Sequence, residues 1–122
     1  MSVSQIEAYP YQIEELYRNH KGCTYQCDLT NRVVVQFGDY VSAFKFHDFK
    51  SFCQKINLVN IHEMIFNLSD EYDFQAIQTP SCQQTYRLSL CELVQLRDLL
   101  SGTKFILDLN SLLHERIYNV GV

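Results

Sequence analysis

Apolar residues recur at two spacings along this chain. Ile13, Leu16, Tyr17 and His20 fall at i, i+3, i+4 and i+7, and Pro10 suits a first helical position, so a leading helix is predicted over residues 10–20. From residue 23 the period shortens. Val33, Val35 and Phe37 alternate with Val34 and Gln36, Gly38-Asp39 interrupts the run, and alternation resumes from Tyr40 to Phe46. With an earlier strand at Cys23–Leu29 and a turn at Thr30-Asn31, this predicts a three-stranded antiparallel meander. Phe46, Phe49, Phe52, Cys53 and Ile56 then share one helical stripe over 47–57, with Asp48 near its start and Lys55 near its end as the helix dipole favours. Asn60 and Glu63 form a capping pattern for a shorter helix at about 60–68.

The second half follows the same order. Tyr72–Thr79 and Cys82–Leu88 read as a hairpin around Pro80-Ser81. Ser89-Leu90-Cys91-Glu92 is a capping box: the serine hydroxyl meets a free backbone N–H and the glutamate reaches back. It opens a helix carrying Leu90, Leu93, Val94, Leu96 and Leu100, which Gly102 is expected to stop. Phe105, Leu109, Leu112 and Leu113 mark a final helix to about Tyr118. An offset of 44 residues lays Phe44 on Leu88, Phe49 on Leu93, Phe52 on Leu96 and Ile56 on Leu100. Two readings stand: a ββαα duplication, or the pattern of any strand leading into an amphipathic helix. Both give an α+β fold, an antiparallel sheet of about five strands packed by amphipathic helices. One domain is expected over 1–122, with the leading helix at 10–20, a first unit at 23–68 and a second at 72–118.

Composition narrows the function classes. The chain has 122 residues, 47% of them hydrophobic, with four Gly and two Pro, which is enough for one core and leaves little for loops. The net charge is −4 and the ten Lys and Arg are scattered, which counts against nucleic acid as the partner. The first twenty residues hold Glu7, Glu14 and Glu15 and no apolar run, so no secretory signal is expected. No stretch of about 18 uncharged apolar residues occurs, so no membrane helix is expected, and the inferred location is cytoplasmic. Five cysteines, an odd count, argue against a disulfide framework.

The run from Cys23 to Phe52 resembles a small uncharacterised bacterial domain family. The resemblance rests on two close cysteines (Cys23, Cys27), the apolar strand Val33–Val35, Phe37-Gly38-Asp39, and the acidic-Phe-x-x-Phe helix start Asp48-Phe49-Lys50-Ser51-Phe52. It departs from the family's pattern in spacing its cysteines C-x3-C and in placing Lys45 where a capping Ser or Thr fits better. The family implies an organisation and no activity.

Among candidate chemistries, Cys23 and Cys27 with His20 just before them are the best constellation. On a regular strand, residues four apart share a face but stand about 13 Å apart, so a shared zinc needs a turn there, which Gly22 permits. Zinc would take Cys23, Cys27 and His20, with Cys82 or a dimer partner supplying the fourth ligand. The alternative is that both cysteines are core or semi-buried strand residues. His47 lies six residues before Cys53, off a helical face spacing, which counts against a cysteine nucleophile. Asp70, Glu71 and Asp73 read as a solvated loop. No Gly-rich phosphate cradle, G-x-S-x-G or H-E-x-x-H occurs, so no catalytic residue is assigned. Eight tyrosines exceed what so small a core hides completely, and either line a dimer interface or a partner groove or are simply part-exposed. The expected function is a small non-catalytic cytoplasmic interaction or structural domain that self-associates. The alternatives are a zinc- or thiol-bearing domain using Cys23 and Cys27, and an enzyme of unassigned class.

Overall fold

The computed structural model describes residues 13–66, 74–80 and 84–120, with the side chains of 13–64, 74–80 and 84–113 among them. Its elements are strands β1 (Ile13–Arg18), β2 (Gly22–Cys27), β3 (Arg32–Phe37) and β4 (Tyr40–Phe44), helices α1 (Phe46–Asn57) and α2 (Ile61–Phe66), strands β5 (Phe74–Gln78) and β6 (Thr85–Ser89), and helix α3 (Leu90–Val120). The fold is α+β, with six described strands in two antiparallel sheets: a meander β1-β2-β3-β4 and the pair β5-β6.

The turns form where local chemistry permits them. Asn31 and Gly38 take positive φ, at 55° and 56°, in the β2–β3 and β3–β4 turns. Gly22 begins β2 where any side chain would run into the Gln36 carbonyl oxygen of β3. Register and alternation put Thr24, Val33, Val35, Phe37, Ser42 and Phe44 on the inner face, all buried. Against that face pack Phe49, Phe52 and Ile56 of α1 and Leu93, Leu96, Leu99 and Leu100 of α3. The Phe52 ring stands 5.0 Å from Phe44 and 5.2 Å from Tyr86, so truncating it to alanine would cost about 3–5 kcal/mol.

Tyr40 and Tyr86 tie the second sheet to the first. Their rings stack at 4.4 Å, and the Tyr86 hydroxyl bonds Ser42 Oγ at 2.9 Å. The Tyr40 hydroxyl accepts the Arg87 backbone N–H at 3.0 Å and donates to the Arg87 carbonyl at 3.4 Å. A side chain thus occupies the edge of β6 that a further strand would otherwise pair with.

Three expectations are corrected. The leading helix expected over 10–20 is strand β1 in its described part. Register shifts between Glu15 and Tyr17, so a bulge turns the adjacent Leu16 and Tyr17 both toward the core and imitates helical spacing. The two helices expected after Ser89 are one helix of 31 residues, and Gly102 lies inside it. Among the described residues the second unit is therefore ββα rather than ββαα, and the described strands number six in two sheets where about five in one were expected. The second hairpin forms as expected, with residues 72–73 and 81–83 of that reading outside the described residues.

The offset of 44 survives in the helix starts, Phe46 and Leu90, and in burial: Phe44 and Leu88, Phe49 and Leu93, Phe52 and Leu96, Ile56 and Leu100 are all buried.

Candidate interaction surface

Helix α3 begins where the capping box sets it. Glu92 N–H donates to Ser89 Oγ at 3.3 Å, and Ser89 N–H donates to Glu92 Oε1 at 3.0 Å. These bonds, with Lys21 Nζ 3.7 Å from Glu92, hold the Glu92 carboxyl below its usual range. The first part of the helix then packs on the body through its leucines. Among its described side chains Thr103 is the last that is fully buried: its hydroxyl donates to the Leu99 carbonyl at 2.7 Å and lies 2.6 Å from the hydroxyl of Thr24.

Past Thr103 the helix keeps its apolar residues and changes what they face. Phe105, Leu109, Leu112 and Leu113 are 64%, 38%, 46% and 49% exposed. At about 100° per residue, Phe105 stands about 200° round the helix from Thr103, so the stripe points away from the body. Leu107, on the body side, is half-buried, and Ile106 packs against the core. Toward the body this half of α3 brings Leu107 and Ile106 among polar residues, and away from it an apolar stripe. Four large apolar side chains grouped on one helix face form a patch, unlike the scattered Ile13, Leu29 and Val41.

Between this half of α3 and the body runs a groove of about 450 Å³, walled by Phe46, Phe49 and Leu107 and edged by Lys50, Lys104 and Asp108. Its charged residues include both signs and sit at its rim.

The sequence-predicted site residues lie elsewhere. Cys23 and Cys27 occupy the outer face of β2, which pairs with β3 without interruption from Gly22 to Cys27. A single ion shared by both would require that pairing to open. The Cys23 thiol is buried 3.0 Å from the Tyr25 hydroxyl, and the bond between them together with burial pushes the tyrosine's pKa up. Cys27 is half-buried, and the Thr30 hydroxyl and backbone draw its thiol pKa down. His20 is exposed after β1, with Nε2 2.8 Å from Gln95 Nε2 on α3. Cys82 lies outside the described residues. Among the described residues no three His, Cys, Asp or Glu side chains gather. Cys53 sits in the α1 stripe, where burial pushes its thiol up to about 11.

Of the eight tyrosines, Tyr17, Tyr25, Tyr40 and Tyr86 have described side chains, and the expectation for Tyr9, Tyr11, Tyr72 and Tyr118 falls outside them. Tyr86 is fully buried, Tyr17 and Tyr40 pack against the core, and Tyr25 is held by Cys23. The exposed apolar patch on α3 is made by one phenylalanine and three leucines. Periodicity marks those four as a helix face, and no local signal tells whether such a face is covered. No helix among the described residues is long and apolar enough to cross a membrane. Comparison of the chain with protein-family models, curated proteins and solved structures finds no match.

Proposed function

We propose that this chain is a small interaction module of the cytoplasm that works by associating with itself rather than by catalysis. The observation that carries this is the stripe Phe105, Leu109, Leu112 and Leu113, between 38% and 64% exposed on the side of α3 turned away from the body. Leaving such a stripe in water forfeits its burial, at about 25 cal/mol per Å² of apolar area. A half-helix of 17 residues (104–120) is also only marginally stable in water without a packed face. A partner covering the stripe supplies both. The odd number of cysteines suits a reducing compartment.

Light scattering across a concentration series tests the reading. The mass should rise from 14.3 kDa toward twice that value as concentration increases. A constant monomer mass would overturn it.

A further inference from the structure

We propose that the Tyr40 hydroxyl, together with the Glu92 carboxylate, guards the outer edge of β6 and keeps another copy of this chain from adding a strand there. The inference does not depend on the stripe of α3. It concerns a different kind of contact, one that the fold holds closed.

The edge follows from the geometry of the strand. In an antiparallel pair the N–H and C=O of one residue point to the same side, and successive residues alternate. The Tyr40 hydroxyl accepts the Arg87 N–H at 3.0 Å and donates to the Arg87 carbonyl at 3.4 Å, so both groups point away from β5. Thr85 and Ser89, two positions to either side, turn the same way. The Ser89 N–H donates to Glu92 Oε1 at 3.0 Å. Side chains therefore cap two of the three residues on this edge. At Arg87 one hydroxyl does what a residue of a paired strand would do, taking the N–H and satisfying the carbonyl.

This edge has no other protection of its own. β6 reads Thr-Tyr-Arg-Leu-Ser, with one charge, no proline and an unshifted register against β5. β1, at the edge of the larger sheet, carries Glu14, Glu15 and Arg18 and a bulge, all of which discourage strand addition. The β6 edge also opens on space. A cleft of about 490 Å³ lies along it, between the β3–β4 turn at Gly38 and Asp39 and the side chains of Gln84, Arg87 and Glu92. A strand edge with few charges beside an open cleft is a template for pairing with another chain. Stacking on Tyr86 at 4.4 Å holds the Tyr40 ring against the strand that it guards.

Tyr40→Phe tests this, because it keeps the stacked ring and removes only the hydroxyl. Amide hydrogen exchange at low protein concentration reads the edge, and light scattering over a concentration series reads association. The Arg87 amide should exchange about tenfold faster than in the wild type, in keeping with the loss of one hydrogen bond. The mass of the variant should exceed that of the wild type at each concentration. The Arg87 amide should also regain protection as concentration rises, because an incoming strand takes up its N–H. Each comparison is with the wild type at the same concentration, so the outcome does not depend on whether the wild type self-associates. Unchanged exchange at Arg87 would show that the hydroxyl does not close the edge. Faster exchange with a mass equal to that of the wild type would make the hydroxyl an ordinary bond and overturn the guard. Added association that leaves the Arg87 amide fast would place the new contact elsewhere and overturn it as well.

Discussion

The Tyr17 ring lies directly on the backbone of Gly102. A Cβ at residue 102 would meet three carbons of that ring at 2.5–2.6 Å. The glycine that reads as a helix stop is therefore the place where β1 and α3 touch, and the helix runs on through it. An interior glycine weakens a helix by about 1 kcal/mol relative to alanine, and here that loss is offset by the ring packed over it.

Gly102→Ala should accordingly destabilise the protein by about 1 kcal/mol net, since displacing a packed ring costs about 1–3 kcal/mol against the propensity gain. In a Tyr17→Ala background the same substitution should stabilise. The sign reversal is read from urea midpoints of the four proteins. The same sign in both backgrounds would refute the account.

The buried Thr24 and Thr103 hydroxyls form one polar unit. Thr103 gives its proton to the Leu99 carbonyl, so Thr24 donates to Thr103. Thr103→Val should cost about 1–3 kcal/mol, because it leaves the buried Thr24 hydroxyl only a 3.4 Å contact with the Tyr17 carbonyl. Adding Thr24→Val should recover much of that loss, as removing both partners of a buried bond leaves nothing unsatisfied. Additive losses in a double-mutant cycle would show that the pair is not coupled.

Arg97 joins α3 to the end of α1. Its guanidinium donates to the carbonyls of Ile56, Asn57 and Val59 at 2.6–3.2 Å, where the dipole of α1 favours a cation. Arg97→Met should lower stability by about 2 kcal/mol, in the range for hydrogen bonds to charged groups. Arg97→Lys should recover little, since an ammonium lacks the planar fork that spans several carbonyls. Thermal midpoints of the three proteins decide it; full recovery with lysine would assign the effect to charge alone.

Cys53 gives a dependence on alkaline pH. Its folded pKa is raised from 9.0 to about 11 by burial, so the folded state holds the proton longer than the unfolded chain does. The stability linked to this group is complete below pH 9 and is lost as pH rises toward 11. The urea midpoint of the wild type should therefore fall more steeply over that interval than that of Cys53→Ala. Tyr25 and Tyr86 titrate in both proteins, so the difference isolates Cys53. Parallel curves would contradict the burial argument.

What could be read ahead of the structure was what neighbouring residues decide. Gly38-Asp39, the Asn60 cap (its Oδ1 accepts the Glu63 N–H at 3.1 Å) and the Ser89–Glu92 box all formed as the sequence indicated, because each is settled within a few residues. Leu16 and Gly102 misled because their partners are remote. A bulge set by pairing with β2 turns Leu16 inward, and Tyr17, 85 positions earlier, covers Gly102. The stripe at Phe105–Leu113 was legible as a face but not as an open one. Periodicity says which side of a helix is apolar and leaves open what lies against it. For Cys23 and Cys27, spacing alone left two readings, and the unbroken β2–β3 pairing places them at the two ends of a regular strand face.

The contacts between the β1–β2 hairpin and α3 also bear on the order in which the chain folds. Asn19 reaches Asp98, His20 reaches Gln95, and Thr24 reaches Thr103, across 75 to 79 residues. The meander can zip from local turns and α1 can pack on part of its inner face, yet that face is fully covered only when the last helix arrives. Such closure by the two ends raises contact order and slows the rate-limiting step. Substitutions at these contacts should then act mainly on the folding rate, as expected for interactions made in the rate-limiting step.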